Sequence, residues 1–308
     1  MRLQTIRSGL VESVDDVGVF ACDPSGRELF RSGDPDIPLF YRSAVKPFQA
    51  HVVVAAGVEL PDEHLAVVSA SHGGYPVHVA IVRRILADGS LDESALQCPA
   101  VWPLSSGARA LQLRRGVIRP QRLFQNCSGK HAGMLRACLA AGWPTDSYLD
   151  PDHPLQRRII ELVGEATEVD PRPVGIDGCG APTLRGSVRG LARAFALLGS
   201  DRRFARVAGA VARFPALVAD NVRADGRLAM WWGGPVKVGA EGLIGLSTGG
   251  IGLAAKSLAG RPEVAVAAVI EAGREVGLLS RAMEDALRDV ANPPIFGGGN
   301  RVGRLVVG

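Results

Sequence analysis

Strand signals lie at both ends of this chain and helical periodicity fills its middle, and that order restricts the fold more than any other feature. Leu10–Cys22 is rich in Val and Gly, Asp23–Gly26 (DPSG) is a turn signal, and Arg27–Arg31 reads as a returning strand. Late in the chain GLIGLS and IGLAAKS flank a TGG turn, which predicts a hairpin, and RLVVG reads as a last strand. Between these ends, apolar spacing predicts helices at Ser43–Ala56, Pro76–Ala87, Gly129–Ala141, Pro154–Ala166, Ala181–Leu198 and Arg202–Val211. Leu65–Ser69 is a short buried run, read as a strand or a helix end. PEVAVAAVIEAGREVG predicts a helix near the C-terminus. The economical packing lets the two ends meet in one antiparallel sheet around an inserted helical block, an α+β architecture. We read a single domain, 1–308, with β-rich ends at 1–40 and 236–308 and a helical middle at about 43–215.

The composition excludes several classes. Hydrophobic residues make up 47% and charged residues 21%, as in a soluble globular protein. A net charge of +4 without runs of like charge gives no basis for nucleic-acid binding. No apolar run is long enough to span a bilayer, and the first residues do not read as a signal peptide. A cytoplasmic location is expected. Five cysteines suit a reducing compartment, where thiols are free, catalytic or metal-bound.

Four short stretches carry reactive groups. FYRSAVKPFQA sets Ser43 three residues before Lys46, on one face of a helix start, and a serine beside a lysine is a known nucleophile–base pair. A solvated surface pair is the alternative for so short a motif. SASHGG (Ser69–Gly74) adds a hydroxyl, a histidine and two glycines that let backbone approach a ligand. NCSGKHAG (Asn126–Gly133) brings Cys127, Lys130 and His131 together at a helix start, and GIDGCGAP (Gly175–Pro182) puts Cys179 in a tight loop. The two cysteines suit either zinc binding or two buried free thiols.

Taken together, RSAVKPFQA, LAVVSASHGG, NCSGKHAGML, HPLQ, GIDGCGAPT and KVGAEG resemble, in order, the bacterial asparaginase II family of the Rhizobium type, over roughly Val11 to Lys256. The resemblance implies a fold like that of serine β-lactamases and glutaminases. It implies hydrolysis of a side-chain amide by serine–lysine pairs, with Ser43 as nucleophile beside Lys46 and with Ser71 partnered by Lys256. It implies zinc held by Cys127, Lys130 and Cys179, and a substrate pocket that includes Arg42, His131, Asp177 and Lys237. It also implies a homodimer acting on a small-molecule amide.

The chain departs from that family at DNVRADG (Asp220–Gly226), where Arg223 and Asp225 are retained, and at SLAG (Ser257–Gly260) after Lys256. An altered hold on the substrate is expected there, with Asp220 offering a carboxylate to an α-ammonium. Two rivals share the motifs. A penicillin-binding or β-lactamase-like enzyme would also use S-x-x-K, with KVG (Lys237–Gly239) in place of K-T-G. A non-catalytic relative that binds a metal or metabolite would tolerate the altered segments.

Overall fold

The computed structural model describes residues 1–308. The chain opens with β1 (Arg2–Arg7), β2 (Leu10–Cys22), β3 (Glu28–Ser32) and a short β4 (Leu39–Phe40). Then come α1 (Lys46–Ala55), α2 (Asp62–Val68), α3 (Pro76–Ala87), α4 (Ser106–Arg114), α5 (Ser128–Ala141) and α6 (Pro154–Thr167). Three two-residue strands, β5 (Gly175–Ile176), β6 (Pro182–Thr183) and β7 (Arg185–Gly186), precede α7 (Val188–Ser200), α8 (Ala205–Arg213), α9 (Pro215–Val218) and α10 (Ala224–Trp232). The chain closes with β8 (Val236–Gly239), β9 (Leu243–Thr248), β10 (Ile251–Ser257), α11 (Pro262–Glu275), α12 (Arg281–Ala291), β11 (Pro294–Gly297) and β12 (Asn300–Val307).

The ends do meet. An eight-stranded antiparallel sheet runs β11-β12-β1-β2-β10-β9-β8, with β3 also on β2. The thirteen-residue β2 holds it together: Leu10–Asp16 pairs with β1, and Val17–Cys22 pairs with β10. Side chains of these central strands alternate between two cores. Phe20, Cys22 and Ala254 join the larger core with α7 and the helical block. Val17, Val19, Ala21, Leu253 and Ala255 join a smaller core built on α11. Burial on both faces explains the nearly continuous apolar runs that marked these strands in the sequence. The predicted hairpin is β9–β10, turned by Gly249 and Gly250 at φ of 55° and 81°, a conformation that favours glycine.

Of the two readings of Leu65–Ser69 the helix end holds: Leu65–Val68 closes helix α2, which starts at Asp62 behind Pro61, and Ser69 is its C-cap. Two sequence expectations shift. The helix expected from Ala181 starts at Val188, because Ser187 caps it by accepting a hydrogen bond from Gly190 N at 3.0 Å. The residues before it form β6 and β7. The helical part also extends past 215 into α10, and a second helix, α12, follows the expected α11 within the C-terminal segment read as β-rich.

One close approach positions the site. β4 pairs with β7, and the buried ring of Tyr41 lies against Gly186. A Cβ at Gly186 would sit 1.8 Å from Tyr41 Cζ. Gly186→Ala is therefore expected to destabilise the fold by about 3 kcal/mol and to lower Tm by on the order of 5 °C, as measured by thermal unfolding. An unchanged Tm would show that this ribbon yields freely.

Candidate active site

The chain has only four lysines, and three of them, Lys46, Lys130 and Lys237, are at most 2% exposed and converge on one region. Lysine is seldom buried without a partner, and the remaining positive charges are arginines. This scarcity is a signal in the sequence, and it separates Lys237 from an ordinary strand residue.

Each group arrives on a different element. The ribbon of β4 and β7 delivers Tyr41, whose N–H donates to Leu184 O at 2.9 Å, and then a 3-10 turn, Arg42–Val45. Arg42 has φ of +48°, a strained value for a side chain other than glycine, and it sets the direction of Ser43. Pro47 is tolerated because it falls in the first turn of α1. Ser71 follows α2 in the SASHGG loop, with its N–H on Val218 O at 3.1 Å. Lys237 comes from β8, the edge strand of the sheet, which lies against the Arg42–Val45 turn.

Ser71 is the meeting point. Lys46 Nζ lies 3.1 Å from Ser71 Oγ and donates to Ala70 O at 2.6 Å. Lys237 Nζ lies 2.9 Å from the same hydroxyl and donates to Val238 O at 2.8 Å. Burial, and then the Lys46 charge, hold the Lys237 ammonium well below its usual range. Burial lowers Lys46 as well. The partner expected for Ser71, Lys256, is not there. It lies on β10, two strands in from β8, and its Nζ donates to Glu241 O and Ser257 O. Lys237, expected to touch substrate, stands in its place. The side chains of Ser43 and Lys46 do not bond to each other, because the lysine chain runs into the interior toward Ala70 and Ser71, and only the Lys46 backbone N–H donates to Ser43 O.

Ser43 and Ser71 line one cavity of about 510 Å³, together with Asn126, Arg223, Asp225 and Glu263. Arg223 spends three of its five N–H donors inside the protein. Its Nε and Nη2 form a fork on Asp225 at 3.1 and 2.9 Å, and its Nη1 donates to Ser71 O at 3.0 Å. It braces the serine, and its Nε–Nη2 fork is taken by Asp225. Asp220 is not on this cavity. Its Oδ1 accepts from Val222 N and Arg223 N, and it lines a separate cavity beside His78. The carboxylate expected there for an α-ammonium thus fixes a loop instead.

The second polar group lies deeper. Lys130 Nζ is 3.4 Å from Cys179 Sγ, and Cys127 stands beside both. The adjacent Cys127 thiol, followed by the Lys130 charge, brings Cys179 down to about 5 against the cost of burial, while the Cys127 thiol itself points to Asn126 Oδ1 at 3.4 Å. Bonding to Cys179 and burial push Cys127 up to about 12. Burial works against the Lys130 ammonium, yet the two thiols and Asp177 outweigh it, so its direction is upward. This is a thiol–thiolate–ammonium cluster. No three His, Cys, Asp or Glu side chains gather as a metal site, so any metal would rest on two sulfurs and one amine. That donor set suits zinc once Cys127 and Lys130 give up their protons.

Asp177 and Arg42 pair at 2.6 Å, and Gly178 N also donates to Asp177. His131 is buried, meets Tyr148 Oη through Nδ1 at 2.7 Å, and is pushed down to about 3 by burial, then by Lys130. Its Nε2 has no partner. The ring is neutral and does not line the cavity of the two serines. His72 is also fully buried. Ser128 Oγ spends its single proton on Leu123 O, so His72 Nε2, 3.0 Å away, is the donor to Ser128. This ties the SASHGG loop to the start of α5.

Comparison with known proteins bears on the class. The family model described as L-asparaginase II matches residues 3–307, nearly the whole chain. The chain belongs to the L-asparaginase II family. No curated protein matches it. Among solved structures it is similar to Mglu in its native form, at 16% identity and a TM-score of 0.44, over 84% of this chain and 63% of that one. The glutamate form of Mglu gives 16% identity and a TM-score of 0.43, over 85% and 61%. A β-lactamase from Mycobacterium bovis gives 15% identity and a TM-score of 0.38, over 89% and 95%. The chain thus spans less than two thirds of the length of Mglu in either of these forms.

Proposed function

We propose that the chain hydrolyses the side-chain amide of asparagine or a close analogue, with Ser71 as nucleophile and Lys237 as its base. The supporting observation is the Ser71 hydroxyl between two buried amines, 2.9 and 3.1 Å away, at the wall of a cavity. Two ammonium groups so close in a buried site repel each other, which favours a neutral Lys237. A neutral lysine accepts the serine proton as Oγ attacks the carboxamide carbon. The lysine then returns that proton to the leaving nitrogen, and ammonia departs. Water attacks the acyl ester, its proton passes to the same lysine and on to Ser71 Oγ, and the acid is released. Ser43 contributes a second hydroxyl across the cavity. It was the nucleophile expected from the motif, and it lacks the contact with a lysine that supports Ser71.

In the same reading Cys127, Lys130 and Cys179 hold one zinc ion. When bound, zinc supplies fixed positive charge for a substrate carboxylate or a water. Arg42, paired with Asp177, keeps the Cys179 loop against the Ser43 turn. The family resemblance adds a homodimer to the proposal.

The test is ammonia release from a panel of L-asparagine, L-glutamine and N-acylated asparagine. Release from at least one amide, with no lasting penicillin adduct, is expected. A chain that releases none and instead carries a covalent penicillin would overturn the assignment.

A further inference from the structure

An amino-acid substrate brings an α-ammonium into the cavity, and that charge needs a carboxylate. Two carboxylates line the cavity of Ser43 and Ser71, Asp225 and Glu263. Asp225 is 9% exposed and is neutralised one to one by the Arg223 fork. Glu263 differs. It sits in the first turn of α11, and only its Oε1 is engaged, accepting from Arg261 Nε at 2.9 Å. Oε2 has no hydrogen-bond partner. Arg261 is itself divided, because its Nη1 is 2.8 Å from the buried carboxylate of Asp15. Two carboxylates therefore share one guanidinium, and one negative charge is left over at the cavity rim. Asp15 is 3% exposed, so the surplus is accessible only through Glu263, at 41%.

We infer that Glu263 is a specificity-determining residue that holds the α-ammonium of the substrate through its free Oε2. This rests on the amidohydrolase reading of the cavity. It assigns the preference for a free amino acid to the start of α11, and not to Asp220–Gly226 or to the segment after Lys256. Arg261 becomes a positioning residue that fixes the Glu263 carboxylate while Asp15 keeps it from neutralising that charge.

The experiment compares L-asparagine with succinamate, which has the same carboxamide and no α-amine. In Glu263→Gln the KM for L-asparagine is expected to rise about ten-fold relative to the KM for succinamate, the size expected when a charged hydrogen bond becomes neutral. Equal shifts for both compounds, or none, would overturn the inference while amide hydrolysis stood. A second measurement needs no turnover: thermal protection by L-aspartate against protection by succinate. The unaltered chain should favour L-aspartate and Glu263→Gln should lose that preference. If no amide is hydrolysed but this preference depends on Glu263, the recognition role stands and the catalytic reading falls. If neither protein distinguishes the two acids, Glu263 has no such role.

Discussion

Ser71→Ala is expected to lower amide turnover by about a thousand-fold or more, the scale seen when an activated nucleophile is removed. Ser43→Ala should cost far less, because the Ser43 hydroxyl bonds to neither the Lys46 nor the Lys237 amine. Lys237→Met should resemble Ser71→Ala in kcat, and the double variant should be little worse than either single one, since the two act as a unit. The measurement is steady-state ammonia release by each variant at saturating amide. A dead Ser43→Ala beside an active Ser71→Ala would reverse the two roles and restore the nucleophile that the S-x-x-K spacing suggests. The Lys237 variant also probes stability. Methionine fills a similar volume without a buried amine, so the variant should be at least as stable as the parent while it loses activity. Loss of both together would mean that the amine holds the fold.

Cys179→Ser is expected to abolish zinc binding, and the unaltered chain purified without chelator should contain about one equivalent by elemental analysis. Zinc in hundred-fold excess over its dissociation constant should stabilise the unaltered chain by about 2.7 kcal/mol, and Cys179→Ser not at all. Serine keeps the volume but cannot supply a thiolate, so the comparison isolates the donor. A protein free of zinc, with Cys127 and Cys179 both open to thiol reagents, would leave the cluster as the thiol–thiolate–ammonium arrangement of its own residues.

Local signals in the sequence were enough for much of this architecture. The strands at both ends, the Gly249–Gly250 hairpin and α3 at Pro76–Ala87 follow from periodicity and turn residues. The Cys127, Lys130 and Cys179 grouping was also legible, because Cys127 and Lys130 share a helical turn and Cys179 stands in a marked loop. The partner of Ser71 was not. Lys237 is 166 residues away, and whether Lys237 or Lys256 meets the serine depends on strand order, since the edge strand β8 lies against the Arg42–Val45 turn and β10 is two strands further in. Glu263 escaped for a similar reason, being an ordinary acidic residue in the first turn of a helix. Its importance comes from Asp15, which competes for Arg261 across 246 residues. The role given to Asp220 failed because an aspartate four residues before a helix start serves its own loop as readily as a ligand.

The near absence of lysine gives the molecule an unusual experimental transparency. Lysine is so sparse that nitrogen-15 confined to its side chains would mark the three buried amines and, outside them, only Lys256. The protonation of Lys46, Lys130 and Lys237 thus becomes separately observable in the intact protein, without substitution and without background from the surface. Reagents that acylate amines would meet the same selectivity from the other side. They should modify Lys256 and the Met1 α-amine and spare the interior until the molecule unfolds, so the pattern of acylation reads out whether the cluster of buried lysines is closed.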